Sequence, residues 1–249
     1  MSVQEIKEAI ERYKLRRGVD TFEPKAALID MDGVLYDSMP LHTAAWYRMM
    51  TELGVECSQD EFYLYEGMTG RATIRMLMKR HFNREVSDEE CDRVYAVKSE
   101  YFNAYGERKP MPFSDIMLNV LKEAGLQRVL VTGSGQKSLL NTLDRDYPEV
   151  FGPDKRVTAA DVRHGKPDPE PYIRGLEKAG MASNEAIVIE NAPLGVEAGH
   201  AAGCFVVAVT TGPISKDKMT AAGADIVFKS MEECSRQLPV LLQLCNQKK

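Results

Sequence analysis

Long hydrophobic runs are missing from this chain. No apolar stretch approaches the roughly 18 residues of a membrane span, which excludes a membrane-crossing helix as an expectation. Cysteine is sparse. The five residues (Cys57, Cys91, Cys204, Cys234 and Cys245) are odd in number, scattered, and contain no CxxC pair, so neither a disulfide framework nor a zinc ribbon is expected. A reducing compartment follows, with Cys204 and Cys245 read as small core hydrophobes. A basic excess is also absent. The net charge is −5, which argues against a nucleic-acid partner. The opening MSVQEIKEAIERYKLRRG has no apolar segment of the secretory kind, so a cytoplasmic monomer is expected. Internal repeats and low-complexity stretches are lacking too.

What is present is ordinary for a packed globule. The 249 residues are 44% hydrophobic and 28% charged. At that length a chain buries on the order of three quarters of its unfolded surface, so disorder is excluded as the main state.

The patterning divides the chain. Residues 1–19 read as an amphipathic helix with Val3, Ile6, Ile10 and Tyr13 on one face, docked on the surface or offered to a partner. Ala26–Ile29 is a short apolar run with the length of a buried strand. From Ser114 onward, helices alternate with the runs Val129–Val131, Ile187–Ile189, Phe205–Val209 and Ile226–Phe228. Gly125, Gly180, Gly203 and Gly223 follow the helices. That alternation predicts βα units and a parallel sheet. Residues 40–110 differ. Strand-like runs are scarce there, and Ser58–Glu61 and Ser87–Glu90 both have capping-box spacing. We therefore expect an α/β core (20–39 and 111–249) with an inserted helical cap (40–110).

Ligands of a parallel α/β sheet bind beyond the carboxyl ends of its strands. Four polar clusters fall there: Asp30-Met31-Asp32-Gly33, Thr132-Gly133-Ser134-Gly135, Gly165-Lys166-Pro167, and Glu190-Asn191. Each has a plain structural alternative. Asp30-x-Asp32-Gly33 fits an Asx-turn, the glycines fit a simple turn, Lys166 fits a solvated loop, and Glu190 fits a helix cap. The four together at one sheet edge are far more specific than any one.

This constellation resembles the haloacid dehalogenase-like superfamily over residues 25–230. Asp37-Ser38, His42 and Trp46 resemble its β-phosphoglucomutase-like subgroup. The resemblance implies a Rossmann-like core and Mg²⁺-dependent transfer of a phosphoryl group from a small phosphorylated substrate. Asp30 becomes the nucleophile, forming an aspartyl-phosphate. Asp32 becomes the acid–base, which calls for a raised pKa. Thr132, Gly133 and Ser134 hold phosphoryl oxygens, and Lys166 neutralises charge. The metal falls to Asp30, Asp32, Glu190 and Asn191. Ser38, His42 and Arg71 are further candidates for the substrate side, with a satisfied histidine and an exposed salt bridge as the plain alternatives for His42 and Arg71.

Two departures from the family pattern stand out. Asn191 replaces the usual second acid, removing one charge. In Tyr65-Glu66-Gly67-Met68-Thr69-Gly70-Arg71, the mutases' lysine is Glu66, and the phosphate-binding arginine is displaced to Arg71. Glu66 is either a solvated carboxylate or a cap ligand that reaches the metal and restores the lost charge. The second option leaves room only for a small substrate. It resembles the inorganic pyrophosphatases of the subgroup, a resemblance supported by Val188–Gly195 and by the Thr132–Gln136 loop. Pyrophosphate is therefore the first expectation. A β-phosphoglucomutase or a sugar-phosphate phosphatase is the alternative, and an inactive phosphate-binding relative is a further one.

Overall fold

The computed structural model describes residues 1–135 and 137–246, so Gln136 lies outside the described residues. Six strands form one parallel sheet in the order β3-β2-β1-β4-β5-β6. They are β1 (Ala26–Ile29), β2 (Gln127–Val131), β3 (Arg156–Val157), β4 (Ala186–Glu190), β5 (Phe205–Val209) and β6 (Ile226–Phe228). Every residue of β1, β4 and β5 is buried. This is why those strands read as continuous apolar runs rather than alternating ones.

Helices cover both faces, and two apolar clusters mark the two layers. Ile29, Leu130, Ile189 and Val207 face one cluster with Leu121, Leu238 and Leu242. Leu28, Val129, Val188 and Val206 face the other with Tyr172, Leu176 and Val196. The helices are α1 (Val3–Arg17), α2 (Met39–Glu52), α3 (Gly70–Phe82), α4 (Asp88–Ala104), α5 (Ser114–Glu123), α6 (Lys137–Asp146), α7 (Glu170–Ala179), α8 (Pro193–Ala201), α9 (Lys216–Ala221) and α10 (Met231–Cys245). Among the described residues, no helix is long and apolar enough to cross a membrane.

Helices α2, α3 and α4 enclose a third cluster of their own: Met49, Met50, Phe62, Ile74, Leu77, Met78 and Cys91. Half of the Ser87 box forms: the serine oxygen accepts the Glu90 N–H to start α4, while the Glu90 carboxylate pairs with Arg84. The Ser58 box closes fully but starts only the short 3-10 turn Asp60–Tyr63, and the chain is in an irregular loop by Tyr65. Ser114 is not a cap. Phe113, at φ 68°, holds that position, and the Ser114 hydroxyl bonds Tyr147 instead.

The amino-terminal helix seals the amino edge of the sheet. Tyr13 is wholly buried and donates to the Gly203 carbonyl at 3.1 Å, just ahead of β5. Arg16 grips Asp225 with two bonds of 2.9 Å. The carboxyl edge is left open to the helical insertion.

Candidate active site

Beyond β1 the chain turns sharply, which brings Asp30 and Asp32 to the sheet edge with both side chains buried. Gly33 lies at φ +85°, and a Cβ there would sit 2.0 Å from Asn191 Nδ2. Only glycine lets the first and fourth clusters approach this closely.

Lys166 is the hub of the site. Its Nζ donates to Asp30 Oδ1 at 2.5 Å, to Glu190 Oε1 at 2.6 Å and to the Val131 carbonyl at 3.1 Å. A wholly buried ammonium is tolerable only with such pairing. Burial alone would lower its pKa, but Asp30 and Glu190 more than reverse this and keep the lysine charged. Burial pushes the Asp30 carboxyl up; Lys166 pulls it back toward the ionised form, while Glu190 and Asp32 add to the rise.

Glu190 differs from expectation. Its Oε1 also accepts from Tyr172 at 2.9 Å, and its Oε2 accepts the N–H groups of Asn191 and Ala192 at 2.8 and 3.0 Å. Both oxygens are engaged, Oε1 with Lys166 and Tyr172 and Oε2 with the backbone turn ahead of α8, so in this arrangement Glu190 orients Lys166 instead of facing the metal position. Gly195 makes this possible, because a Cβ there would fall 1.7 Å from Glu190 Oε1.

Asp32 also departs from expectation. Ser38 donates to its Oδ1 at 2.5 Å, and His42 Nε2 lies 3.1 Å away. Lys98 Nζ, wholly buried on α4, lies 2.6 Å from His42 Nδ1. Burial would raise the Asp32 carboxyl, but His42, Ser38 and Lys98 override it and hold it below the usual range. The raised values fall on Asp30 and on Glu66 instead. Burial and Lys98 lower His42, so a neutral ring donates from Nε2 to Asp32 and accepts at Nδ1 from Lys98. Ser38 and His42 therefore hold Asp32. His42 also borders the cavity above it, whereas Ser38 does not.

The insertion closes over this floor. Glu66 Oε1 accepts from Asn191 Nδ2 at 2.8 Å. Gly67, at φ +90°, presses on Lys166, and a Cβ on Gly133 would lie 2.5 Å from the Gly67 carbonyl oxygen. Between floor and roof is a cavity of about 60 Å³. Asp30, Asp32, Thr132, Gly133 and Ser134 line it below, and Trp46, Phe62, Tyr65 and Tyr95 line it above. Thr132 Oγ1 accepts the Ser134 N–H at 3.0 Å, which folds the loop back beneath the cavity. Arg71 is not in this cavity. It is half-exposed and bound to Asp88 at 3.0 Å and to Asp92 at 2.6 and 2.7 Å.

A family pattern described as haloacid dehalogenase-like hydrolase matches residues 27–209. The chain belongs to the haloacid dehalogenase-like hydrolase family. It is therefore an enzyme with relatives of the phosphatase and phosphoglucomutase kinds. It is 30% identical over 215 residues to hexitol phosphatase A of Escherichia coli strain K12, covering 84% of this chain and 92% of that protein. It is 30% identical over 215 residues to glycerol-1-phosphate phosphohydrolase 1 of Saccharomyces cerevisiae, covering 83% and 82%. A solved Bacteroides vulgatus structure, named provisionally as a beta-phosphoglucomutase, superposes with a TM-score of 0.94 at 41% identity, covering 99% of this chain and 100% of that one.

In this enzyme the donor set suits a hard divalent cation. Asn191 Oδ1 is buried with no hydrogen-bond partner, while its amide nitrogen is taken by Glu66. An orphaned buried carbonyl beside Asp30 and Glu66 is costly alone and natural as an oxygen ligand for Mg²⁺. Burial pushes the Glu66 carboxyl well up, and Asp30, Glu190 and Asp32 add a repulsion that a cation relieves. Three residues escaped the sequence reading. Lys98 and Tyr95 lie on α4 with no motif around them. Tyr172 lies on α7 within an ordinary amphipathic pattern.

Proposed function

We propose that this chain hydrolyses small phosphate monoesters of the polyol and sugar class through Asp30, with Mg²⁺ as cofactor. The observation that carries this reading is the contrast between the floor and the roof of the cavity. The floor offers Asp30 under Lys166 control. The roof is aromatic, and the one ammonium along it, Lys98, is engaged with His42. An uncharged organic leaving group suits such a roof, and a second phosphate does not. The names of the hexitol and glycerol phosphatases point the same way. A cavity of 60 Å³ holds roughly four to six water-sized groups, so the short esters fit best.

Roles follow from the contacts. Lys166 aligns Asp30 and cancels part of its repulsion with the incoming phosphoryl group. Asp30 attacks phosphorus, the ester P–O bond breaks, and the departing oxygen takes a proton at Asp32. Asp32 starts ionised, so that proton needs a source, and the Lys98–His42–Asp32 hydrogen-bond chain is a path for one. Asp32 then accepts a proton from the water that attacks phosphorus, and Asp30 is regenerated. Thr132 and the Gly133 backbone hold the phosphoryl oxygens, with Thr132 oriented by the Ser134 N–H. Asp30, Asn191, Glu66 and the Asp32 main chain would hold Mg²⁺, which supplies charge neutralisation between nucleophile and phosphoryl group when bound.

A second reading is pyrophosphate hydrolysis. The Glu66–Asn191 contact and the small cavity favour it, since both suit a compact inorganic substrate near a metal. A mutase has weaker support, because Arg71 is bound by Asp88 and Asp92 rather than turned to a second phosphate. One panel separates the three: phosphate release in Mg²⁺ buffer from glycerol 1-phosphate, hexitol phosphates and pyrophosphate, with β-glucose 1-phosphate tested for isomerisation. The monoester reading predicts that the polyol phosphates lead. A strong preference for pyrophosphate moves the assignment to the second reading, and glucose 6-phosphate formation moves it to the mutase.

A further inference from the structure

Two spaces meet at Tyr95. One is the 60 Å³ cavity over Asp30. The other is an open cleft of about 1170 Å³ between the start of α3 and residues 159–168. Met68, Gly70 and Tyr95 border both. Met68 is an unbranched, adaptable side chain and Gly70 has none, so the stiff wall between the spaces is the Tyr95 ring.

The ring is held between two segments. It shares the cavity wall with Ser134 and the cleft wall with Gly135, so it spans from α4 to the loop after β2. On its other side it packs against the first residue of α3. A Cβ on Gly70 would come 2.3 Å from Tyr95 Cδ2 and 2.4 Å from Cε2, so glycine at position 70 is what lets the ring occupy this place. The atoms that would clash belong to the body of the ring, so a methyl group there must displace it.

We propose that Tyr95 is the partition that sets the length of leaving group the enzyme accepts, and that the cleft behind it is space the native substrate does not use. This rests on the phosphohydrolase reading above. With the partition in place, a group leaving Asp30 has only the small cavity to fill. With it removed, cavity and cleft become one channel, and a long or flat leaving group extends outward without displacing α3 or the Glu66–Asn191 contact.

The test compares full-length wild type, Tyr95→Ala, Tyr95→Phe and Gly70→Ala on three phosphoryl donors of rising bulk: the acyl phosphate acetyl phosphate and the aryl esters para-nitrophenyl phosphate and 4-methylumbelliferyl phosphate. The readout is the ratio of kcat/KM for the bulkiest to the smallest, which a general loss of folding or activity leaves unchanged. Tyr95→Ala and Gly70→Ala are expected to raise that ratio about tenfold or more, and Tyr95→Phe to keep it within about twofold. Gly70→Ala keeps the tyrosine and so guards against an unstable alanine variant. An unchanged ratio in either opening variant, with turnover of acetyl phosphate retained, overturns the partition. Wild type inert toward all three donors overturns the phosphohydrolase reading itself, and the partition falls with it.

Discussion

Lys98 is a wholly buried ammonium whose partner is a neutral imidazole rather than a carboxylate. Burial pushes its pKa down to about 7, against about 10.4 for a lysine in an unfolded chain. Between those values the unfolded chain binds the extra proton, so stability rises with pH across that window. The contribution is full above about 10.4 and lost as pH falls through about 7. Lys98→Met removes this term. Melting temperatures measured from pH 7 to 10 are expected to rise more steeply for wild type than for the variant, and parallel curves would refute the assignment. Residues of the strand-end clusters were legible because a parallel sheet gathers whatever follows its strands. Lys98 and Tyr95 were not, since nothing in a helix marks which polar side chain turns inward to a site built by other segments. Arg71 was open between a phosphate ligand and an exposed salt bridge, and the structure shows the salt bridge, because α4 brings Asp88 and Asp92 against it. Glu190 was read as a ligand because its motif pairs two acids, and only the packing reveals four donors already upon it.

Elements with strong local signals formed where the sequence placed them. The β5 run Phe205–Val209 matches to the residue. The two-residue β3 carries no pattern long enough to detect, and it owes its existence to pairing with β2. The amino-terminal helix was read as docked or partner-binding, and it is docked. Its anchor is Tyr13, packed against Phe22 and Phe205 with ring centroids 4.6 and 5.3 Å away. These contacts lie at the amino ends of the strands, across the sheet from Asp30. Tyr13→Ala is therefore expected to cost about 3 to 5 kcal/mol of stability, as for other large buried aromatics, with kcat/KM per folded molecule unchanged. Denaturant titration and a phosphatase assay check the two halves separately. A fall in kcat/KM at full folding would mean that this helix is coupled to the site.

At the scale of the whole molecule, the site exists only with the helical insertion closed on the sheet edge. Glycines mark the contact. Gly133 of the core faces the Gly67 carbonyl, and Gly165 faces Thr69, each with no room for a Cβ. Gly133→Ala puts a methyl group 2.5 Å from a backbone oxygen, which only a retreat of the insertion can relieve. A fall in kcat/KM of about 10²-fold is expected, because a displacement of about 1 Å is enough to misalign reacting groups. The melting temperature should stay near wild type, since each part keeps its own apolar cluster. Full activity in this variant would show that closure is not required. The central claim is that Asp30, aligned by Lys166 under this closed cap, takes the phosphoryl group. Its most direct test is phosphate release from glycerol 1-phosphate in Mg²⁺ buffer by wild type and by Asp30→Asn, a near-isosteric change that leaves the fold intact. The account predicts turnover by wild type and none by the variant. Turnover by Asp30→Asn at a rate close to wild type would contradict it.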